Sequence, residues 1–256
     1  MTIEGSMAGH SHWAGIKHKK AALDNKRGKL WSKLSKAIIV AARSGGGDAG
    51  MNLALRYAIN DAKAVSMPKD NIERAIKKGT GELDGGNLDE ILYEGHAPGG
   101  VAVVCEILTD NRNRTAPEIR KIFELAGGKL GATGCAAWMF ERKGLLIVLK
   151  DQIDEEALME LALEAGADDI HSESEGFEIT CAVEAFNKVC NAFDQAELST
   201  ELREITRIPK DTVKLDVDTG KKVLNLVQRL DDHDDVQSVA ANFNIPEEAM
   251  AKIEAE

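Results

Sequence analysis

Apolar residues in the first third of the chain recur every three or four positions, which is the spacing of amphipathic helices. The clearest run, from Lys26 to Arg43, places its apolar side chains in one stripe and contains no proline. A glycine-rich connector at residues 44–50 ends this helix and is predicted to be mobile. Further helices are predicted at 52–65 and, opened by a proline and ended by a glycine, at 68–79. Together the three helices predict a small bundle.

Beyond a turn-rich linker at 80–88, short Val- and Ile-rich runs alternate with helical periods. The predicted strands are 101–108, 177–183, 204–208 and 236–243, with a hairpin of 138–140 and 145–149 around Arg142-Lys143-Gly144. The predicted helices are 115–126, opened by a capping box of Thr115 and Glu118, then 154–165, 185–198 and 220–230. Strand–helix–strand units of this size favour ferredoxin-like α+β sandwiches, although the pattern does not decide whether one domain interrupts the other.

Charge is distributed unevenly along the chain. The 256 residues carry a formal net charge of −11, which taken alone argues against a polyanionic partner. Residues 1–80 nevertheless hold 15 Lys and Arg against 6 Asp and Glu, a net of +9, and the remaining residues carry −20. A basic N-terminal part on an acidic body restores nucleic acid as a candidate partner.

The basic part begins with a cationic segment before the first helix. Lys17, Lys19 and Lys20 lie in this segment, where ammonium groups would displace the counterions condensed on a phosphate backbone. Trp13 lies among them and is predicted either to stack on an unpaired base or to pack the segment onto the bundle.

The first helix presents a second cationic surface. Its basic residues fall within about 100° of arc, and no Asp or Glu lies between Lys26 and Arg43. Because a solvated helix normally interleaves acids, this face is predicted to bind nucleic acid, with a merely solvated surface as the alternative. The predicted nucleic-acid-binding residues of the basic part are His10, His12, Trp13, Lys17, Lys19, Lys20, Lys26, Lys29, Lys33, Lys36 and Arg43.

Another polar cluster follows the predicted strand at 101–108. Arg112 and Arg114 would lie at a helix N-terminus and are predicted to bind phosphate. Turn chemistry, in which Asp110 and its neighbouring asparagines cap backbone amides, is the alternative, and both can hold together. The acidic run Asp231–Asp235 is interpreted as a solvated polar turn, because it lacks the ligand pattern of a calcium loop.

Neither a metal nor a cofactor is predicted. His10, His12 and His18 lack an evident fourth ligand, and the glycine-rich pieces do not match a phosphate loop. The four widely spaced cysteines are interpreted as reduced core thiols of a cytosolic protein. No nucleophile–base pair stands out, so the sequence does not predict an enzyme.

Five segments resemble the YebC/PmpR family of probable transcriptional regulatory proteins, to which the mitochondrial translational activator of cytochrome c oxidase subunit I is related. They are AGHSHWAGIKHKK at 8–20, YEGHAPGGVAV at 93–103, TDNRNRT at 109–115, GGKLG at 127–131 and WMFERKG at 138–144. The resemblance covers residues 7–256, with its motifs in order at matching separations. It departs at His12, where Lys is commoner, and at His96, where an aromatic residue is commoner.

The resemblance implies an α+β protein with an N-terminal three-helix domain followed by two ferredoxin-like α/β domains, one inserted in the other. The expected boundaries are a basic helical domain at 7–80, an α/β domain at 81–134 plus 209–256, and an inserted α/β domain at 135–208. Residues 1–6 are interpreted as an expression scar. A cytoplasmic location, no cofactor and no known catalysis are also implied.

Two functions follow as hypotheses. The customary description of the family favours a DNA-binding regulator of transcription. The alternative is an RNA- or ribosome-binding translation factor that relieves stalled synthesis, for example at proline runs. The basic helix face is almost exclusively lysine, and lysines position a nucleic acid rather than read its sequence, which favours the alternative on physical grounds. Neither a membrane nor a small-molecule partner is predicted.

Overall fold

A computed structural model describes residues 27–84, 88–172 and 176–254 of the chain. The helices are α1 (Arg27–Gly45), α2 (Leu53–Ala64), α3 (Lys69–Thr80), α4 (Arg112–Leu125), α5 (Glu155–Ala165), α6 (Phe186–Gln195), α7 (Val217–Asp231) and α8 (Glu247–Glu254), with 3-10 turns at Pro98–Gly100 and Ala137–Met139. The strands are β1 (Asp89–His96), β2 (Ala102–Thr109), β3 (Lys129–Leu130), β4 (Phe140–Leu149), β5 (Asp169–Ser172), β6 (Gly176–Cys181), β7 (Leu202–Pro209), β8 (Val213–Lys214), β9 (Val236–Ala241) and β10 (Phe243–Asn244). A helical region followed by sheet-containing domains confirms the predicted α+β class.

The helical region packs α1 against both α2 and α3 around a small aliphatic core. Gly79 allows the close crossing of α1 and α3, because a Cβ there would lie 2.5 Å from the Ile39 carbonyl oxygen. The connector between α1 and α2 is more ordered than its glycines predicted. Asn52, which is buried, donates to the carbonyls of Ala41 and Gly46 at 2.7 and 2.8 Å and caps α2 through the amide of Leu55.

The first sheet is antiparallel with strand order β3-β1-β2-β9. Strand β2 lies inside it and is covered on both faces. Val103 and Cys105 pack into the core formed with α4 and α7, whereas Ala102 and Val104 pack against Phe140 and neighbouring residues. This double burial explains why the sequence of β2 is a nearly continuous apolar run.

The second sheet, also antiparallel, has the order β5-β6-β4-β7. Its chain order, β4-α5-β5-β6-α6-β7, is the βαββαβ arrangement of ferredoxin-like folds. All of its strands lie in the chain between β3 and β9 of the first sheet. Its core contains Phe177, Phe186 and Phe193, and Tyr57 of α2 contacts Phe186 with the ring centroids 6.0 Å apart. The helical region therefore contacts helix α6, which packs on the second sheet, through an aromatic pair.

Some predicted elements were wrong. The hairpin at 138–149 is one strand, β4, in which Gly144 avoids a clash rather than making a turn, since a Cβ there would lie 2.4 Å from the Phe186 ring. Helix α4 begins three residues earlier than predicted, because the Asn111 side chain accepts from the amide of Arg114 and so caps it. Strands β1 and β5 were not predicted. Within the described residues, no helix is long and apolar enough to cross a membrane.

Candidate nucleic-acid interface

The predicted binding residues fall into three groups and one separate residue. Those outside the described residues are His10, His12, Trp13, Lys17, Lys19, Lys20 and Lys26. Lys29, Lys33 and Lys36 lie on α1 and face the loop that follows α7. Arg112 and Arg114 lie in the first turn of α4. The last residue, Arg43, is exposed at the end of α1 and donates to the carbonyl of Leu88 at 3.4 Å.

The α1 lysines contact the loop of residues 231–235, which we call the acidic loop. Lys33 binds the carbonyl oxygen of Asp231 and lies 3.4 Å from its carboxylate. Lys36 donates to the carbonyl of Asp234 at 2.9 Å and to the carboxylate of Asp235 at 2.5 Å. Lys29 contacts the loop more loosely, 3.8 Å from the Asp234 carboxylate. The anion that compensates this helix face is therefore part of the same chain.

The three α1 lysines differ in how deeply their side chains are buried. The side chains of Lys33 and Lys36 are only 14% and 17% exposed, whereas that of Lys29 is 54% exposed. The acidic loop is thus not the solvated turn that the sequence predicted. One sequence signal could have found the contact, namely a helix without acids matched by a run of four aspartates elsewhere in the chain.

Asp235 is the centre of this contact. Its carboxylate is 3% exposed and accepts from Lys36 on one oxygen and from Thr109, Arg114 and Thr115 on the other, at 3.1, 2.7 and 2.7 Å. Burial by itself would raise the pKa of Asp235, but the hydrogen bonds from Lys36, Arg114 and Thr115 outweigh it and hold the pKa well below its ordinary value. The carboxylate therefore joins α1, β2 and α4 while it remains charged.

His233 fixes the acidic loop to α4. Its Nδ1 accepts from the amide of Asp235 at 3.1 Å, and its Nε2 lies 2.9 Å from the carboxylate of Glu118. Because Nδ1 acts as an acceptor, the ring proton of the neutral imidazole lies on Nε2 and is donated to Glu118. The loop conformation is thus held from two sides, by α1 and by α4.

The two arginines of α4 are also engaged within the chain. Arg112 donates to Asp89 at 2.8 Å, and Arg114 binds Asp110 at 3.1 Å in addition to Asp235. Asn111 caps the helix, as the turn-chemistry alternative predicted, while phosphate binding by the two partly exposed guanidinium groups stays a prediction.

The structure adds a cationic patch on α3 that the sequence pattern did not single out. Ile72, Ala75 and Gly79 of this helix are buried, which turns the opposite side toward solvent. That side carries Arg74, Lys77 and Lys78, which make no ion pair within the part of the chain that the structure describes. The buried side of α3 packs against α1, since a Cβ on Gly79 would lie 3.3 Å from the Arg43 amide, so the patch faces away from α1. The sequence signal was the acidic first turn and basic last turn of α3.

Residues 27–84, 88–172 and 176–254 contain no group of three or more His, Cys, Asp or Glu side chains arranged to hold a metal ion. Their four thiols form no disulfide, and those of Cys105, Cys181 and Cys190 are buried. Burial raises the pKa of the Cys181 thiol to about 11, which keeps it protonated and poorly nucleophilic at neutral pH.

Family models match nearly the whole chain. Residues 11–82 match the N-terminal domain of TACO1/YebC proteins, and residues 88–243 match their second and third domains. A probable transcriptional regulatory protein of Rhodopirellula baltica is 58% identical over 247 residues, which cover 96% of this chain and 100% of that protein. A protein of the same description from Natranaerobius thermophilus is 56% identical and covers 95% of this chain and 99% of its own.

A solved structure has the same fold. The crystal structure of a conserved hypothetical protein from Aquifex aeolicus superposes with a TM-score of 0.84 at 49% sequence identity. The match covers 92% of this chain and 98% of the Aquifex chain, so the likeness extends over the helical region and both sheets.

Proposed function

This chain belongs to the TACO1/YebC family, and from that premise we propose that it regulates gene expression by binding nucleic acid through its helical region. The proposal is supported by the names of its relatives, which are probable transcriptional regulatory proteins. It is supported further by the separation of charge between a basic N-terminal part and an acidic body.

One observation carries the proposal. In a protein of net charge −11, the cations Arg74, Lys77 and Lys78 share the side of α3 that faces away from α1, with Arg74 and Lys77 exposed and Lys78 half-buried. Cations that make no ion pair with the described residues are those that can replace the counterions of a phosphate backbone at the smallest cost. The basic segment at 10–26 precedes α1 in the chain and adds its cations to the same interface in this proposal.

The α1 lysines have a different part in the proposal. Lys33 and Lys36 are largely buried against the acidic loop, so a phosphate group reaches them only by displacing Asp231 and Asp235. Arg112 and Arg114 likewise bind a phosphate group only if they release the carboxylates of Asp89 and Asp235. In the proposed interface these residues are therefore secondary contacts.

DNA and RNA are both candidate ligands of the proposed interface. The cations of α3 and α1 are mostly lysines, which bind phosphate as point charges and carry little base specificity. This chemistry favours recognition of a nucleic acid by shape, as in a folded ribosomal RNA, over direct reading of a promoter sequence. The translation-factor alternative thus rests on the lysine content of the surface.

The test is the salt dependence of binding by the full-length protein. Arg74, Lys77 and Lys78 are replaced together by Gln, and binding to duplex DNA and to a folded ribosomal RNA fragment is measured over a range of salt concentrations. We expect the slope of log K against log salt to fall by about 0.7–0.9 for each phosphate that the variant no longer neutralises. Tighter binding to the RNA would favour the translation factor, and tighter binding to DNA the transcriptional regulator.

A matched variant controls for the change in net charge. Lys214, Lys222 and Lys252 are exposed on the acidic body, and their replacement by Gln removes the same charge from another surface. The control should keep the wild-type slope. Equal slopes for both triple variants and the wild type would contradict the assignment of α3.

A further inference from the structure

Trp138 is the most exposed aromatic side chain that the structure describes, with 67% of its surface accessible. It lies in the 3-10 turn Ala137–Met139, far along the chain from the basic helices. Two residues before it Ala136 is completely buried, and two residues after it Phe140 is 5% exposed. An exposed indole offers a large flat apolar face on which a ligand can stack.

The backbone around Trp138 is fixed by the buried side chain of Glu94. One carboxylate oxygen accepts from the amide of Gly134 at 2.6 Å, and the other accepts from the amides of Ala136 and Ala137, both at 2.7 Å. Gly134 has a φ of +84°, a conformation that glycine adopts without strain. Three amides thus converge on one carboxylate and leave the turn little freedom.

A cation fixes the other side of the turn. The ammonium group of Lys210 donates to the carbonyl of Trp138 at 3.0 Å, and the amide of Lys210 donates to the carbonyl of Met139 at 2.9 Å. The indole is therefore presented on a rigid backbone beside one exposed positive charge. Such preorganisation reduces the entropic cost of ordering the site when a ligand stacks on the ring.

We infer that Trp138 is a stacking platform for one unpaired base of a single-stranded nucleic-acid segment, with Lys210 beside the adjoining phosphate. This inference rests on the proposed function and names a second contact, on the body rather than on the helical region. A stacked base suits the site because every base has a flat face, and stacking does not require the dense positive charge that the acidic body lacks.

The experiment measures binding of the full-length protein to oligo(dT) and oligo(U) of about 12 nucleotides, and to an abasic strand of equal length. Trp138→Ala should weaken binding to the base-bearing strands by about 5- to 150-fold, the range expected for removal of one stacked base. Its salt slope should match that of the wild type, because every phosphate-binding cation is retained. Trp138→Phe should retain most of the affinity, and comparison of the two strands shows whether the site prefers DNA or RNA.

Leu125→Ala is the matched control, because Leu125 is another large apolar side chain exposed on the same body. Its affinity should equal that of the wild type. The stacking assignment is overturned if Trp138→Ala binds the base-bearing strands as tightly as Leu125→Ala does, or if its affinity for the abasic strand falls by as much. If the wild-type protein binds no strand, duplex or folded RNA, the proposed function fails together with the platform.

Discussion

Two buried carboxylates, Asp235 and Glu94, hold the molecule together in different ways. Asp235 is 3% exposed and is neutralised by the side chains of Lys36 and Arg114, which come from distant parts of the chain. Glu94 is 2% exposed and is stabilised by three backbone amides of one turn. The first carboxylate joins the helical region to the first sheet, whereas the second shapes a single loop.

The difference determines how each set of hydrogen bonds can be broken. Side-chain cations can rotate toward water or toward another anion, so the partners of Asp235 are open to competition by phosphate. Backbone amides cannot rotate away without unfolding the turn. The three amides that bind Glu94 therefore lose this acceptor only when the turn itself unfolds. The ion pairs between the helical region and the first sheet are therefore replaceable, whereas Trp138 is presented by fixed backbone contacts.

The largest effect is expected from Glu94→Ala. Three amides are left without their acceptor together, and that of Ala136 belongs to a completely buried residue. We expect a decrease of about 3–5 kcal/mol in the free energy of unfolding, measured by urea denaturation. Glu94→Gln keeps one acceptor oxygen and should be less destabilising. Equal stability of Glu94→Ala and the wild type would show that the turn does not depend on this carboxylate.

Asp235→Ala should have the next largest effect. It leaves Lys36, Arg114, Thr109 and Thr115 without their common acceptor, but Arg114 is partly exposed and keeps Asp110. We expect the free energy of unfolding to fall by about 2–3 kcal/mol, below the range for a fully buried pair, because the orphaned cations can reach water. Faster proteolysis within α1 in native buffer should accompany it, and Asp234→Ala is the matched control. Unchanged proteolysis would mean that the helical region is held by other contacts.

The sequence predicted the helices of the basic region well, because their apolar stripes and caps are local signals. It did not predict that α1 faces the acidic loop, since Lys33 and Asp231 are 198 positions apart and no local pattern joins them. Strand β1 was missed because its apolar and polar residues do not alternate regularly. The turn before Trp138 is held by Glu94, a residue that reads in the sequence as an ordinary strand acid.

A smaller effect is expected from acid. Burial would raise the pKa values of Asp235 and Glu94, but the hydrogen bonds that the two carboxylates accept hold both pKa values below their ordinary ranges. The stability that they contribute is thus fully present above about pH 5, where both would be ionised in the unfolded chain, and disappears as the pH falls toward the lowered pKa values. Between about pH 5 and pH 3, which spans the ordinary pKa values of Asp and Glu, the urea midpoint of Asp235→Asn should fall less steeply than that of the wild type. Parallel pH profiles would contradict a depressed pKa for Asp235.

The smallest effect is expected from Lys29→Met, and it separates the loose edge of the α1 contact from its buried centre. Lys29 is 54% exposed and lies 3.8 Å from the Asp234 carboxylate, so water and salt screen the pair and its removal should cost below about 1 kcal/mol. Lys36→Met, the matched variant, removes a cation that is 17% exposed from a buried carboxylate and should cost more. Urea midpoints at low and high salt measure both. Equal destabilisation of the two variants would show that burial does not strengthen the Lys36–Asp235 ion pair relative to the exposed Lys29–Asp234 pair.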